Sequence, residues 1–542
     1  MANSSTIIAI AALGVDVSAI SKLGKDESKI FSDQTNDGKT IVVVAGRDPH
    51  GTNTGVATLL RAIEMDPKTG PYVNGPLDTV NRPSYLKRGL HLNGWPLKYP
   101  YSFRVWKEAD WMRFIDMAWV QRINLFYLWP FMEIIPLPLS SEDRSYLQEV
   151  RRVVDYAQNK RGMEVWIFQS ANRIGVSDCS SVDPRERPYW VMGKSGTSSG
   201  CQQDMNPANA TQFAQIISHF QAFYEIVDNA DSYNFIDSDP GGWPGSPLSE
   251  QMQIFDGART LLDKYSVQGE QTKLADWMWH GWGNPKSAKL ADFWQTKTIA
   301  NFQQNLAGPW QLVAGMSLDL AAAENRSVLV NTTFLQYNAI EAEPSVPSTN
   351  LLNDHSGANP VKQMLETADQ YPALGGIMGN NMIPCIQLPR TFYFSSAAWD
   401  RSYANTSEEE LLLELGRQLY PDHAALIQSA FLALAEVDAV KVNASLTGIS
   451  QLLSSPEDVR PGLMGRFVFP DKMAIAANLQ LQLAARYTRQ ALVNDLRRDS
   501  SVDAATELVE NYFEVSTPGT HTQSPPQHDF EKYTRLIVVL CF

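Results

Sequence analysis

Short apolar runs and longer amphipathic stretches alternate along the chain from residue 83 to about residue 400. Ile123–Pro130 and Met163–Gln169 are runs of the first kind, and their β-branched and aromatic residues predict strands. Trp106–Arg122 and Ser141–Arg161 are stretches of the second kind and predict helices, because their apolar residues recur every three or four positions. Eight such units over roughly 300 residues are typical of a (β/α)8 barrel of the α/β class. The alternative is an open doubly wound sheet, which usually has a glycine-rich first turn that Asn93–Trp95 does not resemble.

The segments before and after this pattern do not show the same alternation of strands and helices. Thr40–Ala45 predicts a buried strand, and a glycine-containing turn and the helix-like Gly55–Arg61 follow it. After about residue 400 the strand signals stop, and Glu408–Tyr420, Ala424–Val437 and Asp471–Arg497 are helical in period. The sequence therefore predicts a small N-terminal α/β domain over residues 1–80, the barrel over 81–400 and a helical C-terminal region over 401–542.

Composition and charge disfavour several classes of partner. The 542 residues carry a net charge of −14 without a lysine/arginine block, so no nucleic-acid partner is predicted. No apolar run approaches the roughly 18–20 residues of a membrane span, and no positive charge precedes the apolar Thr6–Val15, which makes it a poor signal peptide. Cys179 and Cys201 bracket one loop and could form a disulfide bridge. The spacing of Cys and His matches no metal-site pattern, so neither a metal nor a cofactor is predicted.

In a barrel of this kind, ligands contact the carboxyl ends of the strands and the loops that follow them. The sequence places mostly amides, aromatics and carboxylates at these positions, and it shows no Ser-His-Asp arrangement there. Amides and carboxylates bind hydroxyl groups and indoles cover the faces of sugar rings, so an oligo- or polysaccharide is the predicted ligand. The predicted substrate-binding residues are Arg88, His91, Asn93, Trp95, Trp129, Gln169, Asn172, Trp243, Trp279, His280, Asn338 and Asn380. Arg88 could instead form an ion pair inside the barrel, and His91 could be a hydrogen-bonded structural histidine.

An apolar run with strand character ends in two carboxylates within the segment Tyr233–Trp243. Residues two apart in a strand point to the same side, so Asp237 and Asp239 share a face, and Gly241 and Gly242 permit the sharp turn that follows. Two aspartates this close disfavour each other's ionisation, which raises one pKa toward that of a general acid. The alternative is a capped turn in which the aspartates bind backbone amides. The predicted catalytic residues are Asp237, Asp239, Asp276 and Glu341.

Two segments resemble glycoside hydrolases that place a small α/β domain before a barrel, namely the β-hexosaminidases of family 20, the enzymes of family 84 and the α-glucuronidases of families 67 and 115. Val43–Leu60 is similar to the end of their N-terminal domain, and Arg82–Gly89 is similar to their entry into the first barrel strand. The hexosaminidase signature, an adjacent Asp-Glu after Gly-Gly, is absent, and Asp237 and Asp239 stand in that region with the glycines after them. The resemblance therefore implies the fold, the glycoside hydrolase class and a secreted or periplasmic location, but not an acetamido substrate.

These observations predict an exo-glycosidase that cleaves a glycosidic bond by carboxylate acid/base catalysis. A separation of about 5–5.5 Å between the two carboxyl groups favours a nucleophilic carboxylate, whereas about 6.5–9.5 Å leaves room for a water molecule. A non-catalytic saccharide-binding barrel is the alternative. A sugar-nucleotide transferase with a metal ion held by Asp237 and Asp239 is disfavoured by the number of strands before these residues and by the lack of a basic nucleotide site.

Overall fold

Eight parallel strands close into a barrel in the computed structural model of this chain. The structure describes residues 7–10, 21–34, 40–66, 70–73, 78–92, 106–175, 198–199, 202–237, 241–279, 282–283, 292–315, 317–336, 339–340, 359–381, 384, 386–436, 438–456, 459–464 and 473–498. The predicted (β/α)8 fold, with a small α/β unit before it and helices after it, is confirmed.

A small sheet with one helix precedes the barrel. Its elements are β1 (Ile7–Ile10), β2 (Ser28–Gln34), β3 (Thr40–Gly46), α1 (Pro49–Ala62), β4 (Ile63–Asp66), β5 (Gly70–Val73) and β6 (Thr79–Asn81). β1, β3, β2 and β6 pair in this order, with β1 parallel to β3 and the other pairs antiparallel. The helix α1 begins where the Asp48 carboxylate accepts a hydrogen bond of 2.7 Å from the Gly51 amide, and Leu59 packs against Val42 and Val44 of the sheet.

The barrel strands follow one another around the ring in chain order. They are β7 (Lys87–Leu92), β8 (Leu125–Leu128), β9 (Glu164–Ser170), β13 (Ser232–Ile236), β14 (Lys273–Met278), β15 (Trp310–Ala314), β16 (Thr332–Gln336) and β17 (Gly376–Asn381). Between β9 and β13 in the sequence, the chain forms a small antiparallel sheet of β10 (Arg173–Gly175), β11 (Ser198–Ser199) and β12 (Gln202–Asp204). The ring closes where β17 pairs with β7.

The helices of the barrel cover its outer face. They are α2 (Glu108–Val120), α3 (Ser141–Arg161), α4 (Ala210–Tyr224), α5 (Leu248–Tyr265), α6 (Asp292–Asn305), α7 (Ser317–Asn325), α8 (Pro360–Ala368) and α9 (Leu388–Trp399). The helix α3 has the bounds that the sequence predicts, because Ser140 caps its first turn and Gly162 ends it at a φ of 60°. The short helices α7 and α8 were not predicted.

Four helices form the described part of the C-terminal region: α10 (Glu408–Leu419), α11 (Ala424–Ala433), α12 (Ala439–Ser454) and α13 (Ala474–Arg498). Ser407 and Glu410 form a capping box at the start of α10. The helix α12, which was not predicted, packs against α11 and α13. Within the described residues, every helix is too short or too polar to traverse a lipid bilayer.

Arg88 joins the barrel to the N-terminal unit and does not reach the carboxyl end of its strand. The residue is the second of β7 and is fully buried, and its Nη1 donates a hydrogen bond of 3.0 Å to Oδ2 of Asp26. Its Nε donates to the carbonyl oxygen of Arg122 at 2.9 Å. This position does not fit the predicted substrate-binding role of Arg88, and the structure contains the ion pair that was the alternative interpretation of this residue.

Candidate functional site

Four aromatic side chains, from β7, β8, β9 and β14, meet in the barrel interior near the carboxyl ends of the strands. The ring centroid of His91 lies 4.6 Å from that of Tyr127, 5.7 Å from that of Phe168 and 5.7 Å from that of Trp277. Strand pairing explains this meeting, because His91 is opposite Tyr127 in the register of β7 and β8. These rings are buried and form the floor below the carboxyl end of the barrel.

His91 is a neutral imidazole. Its Nδ1 lies 3.3 Å from the Tyr127 carbonyl oxygen, and a carbonyl only accepts, so the proton is on Nδ1 and Nε2 carries a lone pair. Burial lowers the pKa of His91 to about 3. His91 is therefore not a proton donor at neutral pH, and the hydrogen-bonded structural histidine agrees with this geometry. Its Nε2 has no hydrogen-bond partner among the described residues, and the same is true of Trp277 Nε1.

Asp237 and Asp276 are neighbours at the junction of β13 and β14. The Asp237 amide donates to the Trp277 carbonyl oxygen at 3.3 Å, and its Oδ1 accepts from the Trp279 amide at 3.2 Å. Both carboxyl groups are buried. Burial, and after it the negative charge of Asp237, raises the pKa of Asp276 well above its usual range. The structure thus brings two of the predicted acids together, and Asp276 holds its proton.

Asp276 and Gln169 point away from the barrel interior. Both pair in register with Phe235, whose ring packs against α4 and α5 and so marks the outward face. Gln251 of α5 lies with its Nε2 3.4 Å from Asp276 Oδ2, and Gln169 Nε2 donates to a tyrosine hydroxyl of α4 at 2.6 Å. Neither side chain can contact a ligand in the barrel interior as it stands, so their predicted catalytic and substrate-binding roles do not fit this geometry.

Asn172 holds the turn that follows the aspartates. Its Nδ2 donates to the Gly242 carbonyl oxygen at 3.0 Å, and its Oδ1 accepts from the Gly242 amide at 2.8 Å. Gly241 has a φ of 112°, and a Cβ there would lie 2.5 Å from the Ser170 hydroxyl oxygen, so only glycine fits. The half-buried Trp243 follows directly, which places one indole at the carboxyl end of the barrel.

Sequence reasoning missed Glu133, a buried acid that follows β8. Its Oε1 accepts a hydrogen bond of 2.6 Å from Trp129 Nε1, and its Oε2 has no partner among the described residues. Burial raises the pKa of Glu133 to about 7, although its own backbone amide, the Trp129 N–H and the positive charge of Arg173 act in the opposite direction. Arg173 itself binds Asp204 through two hydrogen bonds of 2.5 and 2.8 Å. The signal in the sequence is an acid inside the apolar run Phe131–Ile135.

Aromatic rings connect Glu133 to Asp237. Trp129 lies 4.4 Å from Phe168, Phe168 lies 5.4 Å from Trp277, and Trp277 lies 5.7 Å from Trp279, measured between ring centroids. Trp279 is half-buried, and its backbone amide is the group that binds Asp237. One continuous aromatic wall therefore runs between the two acids.

Of the remaining predicted site residues, the structure describes only Asn380. Asn380 is buried on β17, opposite His91 in the register, and so belongs to the same layer of the barrel. Among the described residues, no three His, Cys, Asp or Glu side chains are arranged to hold a metal ion. The predicted residues that lie outside the described residues are Asn93, Trp95, Asp239, His280, Asn338 and Glu341.

Comparison with solved structures shows which proteins have a similar fold. An enzyme of glycoside hydrolase family 138 that targets the pectin rhamnogalacturonan II aligns over 98% of this chain and 68% of its own, with a TM-score of 0.53 and 12% identity. The β-N-acetylhexosaminidase of family 20 from Streptomyces coelicolor A3(2) aligns over 77% of this chain and 83% of its own, with a TM-score of 0.46 and 12% identity. The chitobiase from Flavobacterium johnsoniae aligns over 89% and 86%, with a TM-score of 0.43 and 11% identity.

Sequence comparison adds no closer relationship, since neither a protein-family model nor a curated protein sequence matches the chain. The structural neighbours of this protein are glycoside hydrolases, and at this level of identity the likeness establishes the shared fold.

Proposed function

We propose that this protein is a glycosidase that hydrolyses an oligo- or polysaccharide at the carboxyl end of its barrel. The observation that carries the proposal is the buried carboxyl group of Glu133, whose pKa is raised to about 7 at the end of a barrel strand. A general acid works best when its pKa lies near the working pH, and an ordinary glutamate is far too acidic for this role at neutral pH. The fold shared with glycoside hydrolases agrees with this chemistry.

In the proposed reaction, Glu133 is the acid. Trp129 holds one carboxyl oxygen, so the other oxygen carries the proton. The proton passes to the glycosidic oxygen, the bond between that oxygen and the anomeric carbon breaks, and the electron pair stays on the leaving sugar. The second carboxylate is Asp237 or Asp239, which either bonds to the anomeric carbon or removes a proton from the attacking water. Asp276 is the neutral neighbour of Asp237, which the Trp279 amide holds in place.

Substrate binding is assigned to the aromatic wall. Trp243 and Trp279 are half-buried at the carboxyl end, and the remaining exposed part of an indole face can stack on the apolar face of a sugar ring. Below these two indoles, the lone pair of His91 Nε2 accepts a hydrogen bond from a sugar hydroxyl group, and the N–H of Trp277 donates one. Because buried rings close the bottom of the site, it favours binding of the end of a saccharide chain, which agrees with exo action.

One observation favours a second candidate, the non-catalytic saccharide-binding barrel. Glu133 and Asp237 are each 1% exposed, so a substrate reaches them only if side chains above them move. In a binding protein, these acids would only hold the aromatic wall in position.

Hydrolysis assays distinguish the two candidates. The wild type, Glu133→Gln and Asp237→Asn are incubated with a panel of aryl glycosides and with oligosaccharides prepared from rhamnogalacturonan II, chosen because the family 138 enzyme targets that pectin. Release of single sugars by the wild type, with loss in both variants, supports an exo-glycosidase. Saccharide binding by all three proteins without any hydrolysis supports the binding protein, and equal hydrolysis by all three overturns the assigned residues.

A further inference from the structure

A buried arginine lies at the amino end of the barrel. Arg122 follows α2 and is 8% exposed, and among the described residues it forms no ion pair and its Nε has no hydrogen-bond partner. Its guanidinium lies 4.9 Å from the ring of Trp399, which compensates a cation only in part. A buried charge without a counterion is costly, because its hydration is lost and nothing replaces it.

The neighbouring arginines do not share this problem. Arg61 binds Glu414 at 3.0 Å, Arg88 binds Asp26 at 3.0 Å, and Arg161 binds Asp116 at 2.6 Å. Each of these acids is thus already engaged by a cation. Burial, and after it the positive charges of Arg61 and Arg88, lower the pKa of Arg122 well below its usual range, although Tyr403 and Glu414 act in the opposite direction. Among the described residues, Arg122 is therefore the one arginine of this cluster without an acid of its own, because Glu414, whose charge also acts on it, already binds Arg61.

A small cavity opens beside this charge, between α1 and the amino end of the barrel. Arg122, Asn53, Asn124, His50 and Gly162 are among the residues that line it. The cavity has room for about one water-sized particle. Gly162 allows the Asn53 side chain to lie against it, because a Cβ at position 162 would be 2.2 Å from the Nδ2 of Asn53.

We propose that this cavity binds a chloride ion against the guanidinium of Arg122. A chloride ion is larger than a water molecule but is a single atom that can lie at the mouth of the cavity, and it brings a negative charge, whereas sulfate and phosphate have five heavy atoms each. The guanidinium and the Asn53 amide are the N–H donors that such an ion requires. The site lies at the end of the barrel opposite to the proposed glycosidase site, so it does not depend on that proposal.

Halide soaking of crystals of the full chain tests the site directly. Crystals grown without chloride are soaked in bromide, and anomalous scattering is measured at the bromine edge. We expect an ordered bromide beside Arg122. Crystals in which bromide occupies other places but not this one would overturn the proposal.

Thermal unfolding in solution supplies the second measurement, at constant ionic strength with chloride exchanged for sulfate. We expect the wild-type Tm to rise with chloride and to saturate after roughly 1–3 °C, since a ligand that binds only the folded state stabilises it. Arg122→Gln should lose this response, and Arg113→Gln, which removes an exposed arginine of α2, should keep it. An equal response in Arg122→Gln, or equal stabilisation by sulfate, contradicts a chloride site. If Arg122→Gln does not fold, the wild-type anomalous data decide.

Discussion

The indole Nε1 of Trp129 donates a 2.6 Å hydrogen bond to Oε1 of Glu133, four residues further along the chain. This contact makes the two carboxyl oxygens different, because Oε1 accepts the hydrogen bond and Oε2 is available to carry a proton. Burial favours the neutral form, whereas the backbone amide of Glu133, the Trp129 N–H and the charge of Arg173 favour the charged form, and together these effects leave the pKa of Glu133 at about 7. The pair is therefore a way of tuning an acid for neutral pH.

Replacing Glu133 by Gln removes the proton and keeps the shape of the side chain. We expect the kcat for the best glycoside substrate to fall by about 10²–10⁴-fold, the usual contribution of a general acid. The wild-type kcat should also decline above pH 7, because only the protonated form donates, and the residual activity of Glu133→Gln should lack this decline. Rates measured from pH 5 to 9 check both expectations. The exposed Glu142→Gln is the matched control, and a variant with full kcat would contradict the assignment.

Replacing Trp129 by Phe tests the hydrogen bond and retains an aromatic ring. Without the N–H, the ionised form of Glu133 loses a stabilising partner, so the pKa of this carboxyl should rise further. We expect the decline in kcat to move to higher pH in Trp129→Phe. A pH profile that stays in place while KM alone changes would mean that Trp129 contacts substrate and does not tune the acid.

The positions of most elements could be predicted because local signals and tertiary packing agree. The helix Ser141–Arg161 is an example, since its capping serine and terminal glycine stand at the ends of a long amphipathic stretch. The short helices Ser317–Asn325 and Pro360–Ala368 were not predicted, because each has too few turns to show a clear helical period of apolar residues.

The directions of the side chains could not be predicted in the same way. Alternation fixes which residues share a face, but both faces of Glu164–Ser170 are apolar, so the pattern does not reveal which face is the interior. For this reason the sequence did not reveal that Gln169 points toward the helices. The position of Arg88 was in principle available from the sequence, because a residue at the start of a strand lies at the amino end of the barrel.

Arg88 should be essential for stability and neutral for activity. Removing one partner of a buried ion pair leaves the other charge uncompensated, at a cost of about 3–5 kcal/mol. We expect Arg88→Met to lower the free energy of unfolding by this order, as measured by denaturant titration, with an unchanged KM in the folded protein. Arg82→Met breaks an exposed pair with Glu27 and should cost at most about 1 kcal/mol. A raised KM at unchanged stability would restore Arg88 to the substrate site.

Asp276 gives a prediction about pH and stability. Its pKa is raised in the folded protein, so the unfolded chain releases this proton at a lower pH than the folded protein does. Between the ordinary aspartate pKa of about 3.9 and the raised one, the unfolded state binds fewer protons, and the free energy of unfolding decreases as pH rises. Asp276→Asn keeps the shape and the neutral state, and so removes this slope.

We therefore expect Asp276→Asn to match the wild type near pH 4 and to become progressively more stable than the wild type as the pH rises toward 8. Denaturant titrations at several pH values measure the difference, and Asp422→Asn, at an exposed position, should follow the wild type throughout. A variant that is less stable than the wild type by the same amount at every pH would show that Asp276 is ionised in the folded protein or makes contacts that Asn does not replace. In that event Asp237 would have no neutral neighbour, and the arrangement of acids at the end of β13 and β14 would need a different explanation.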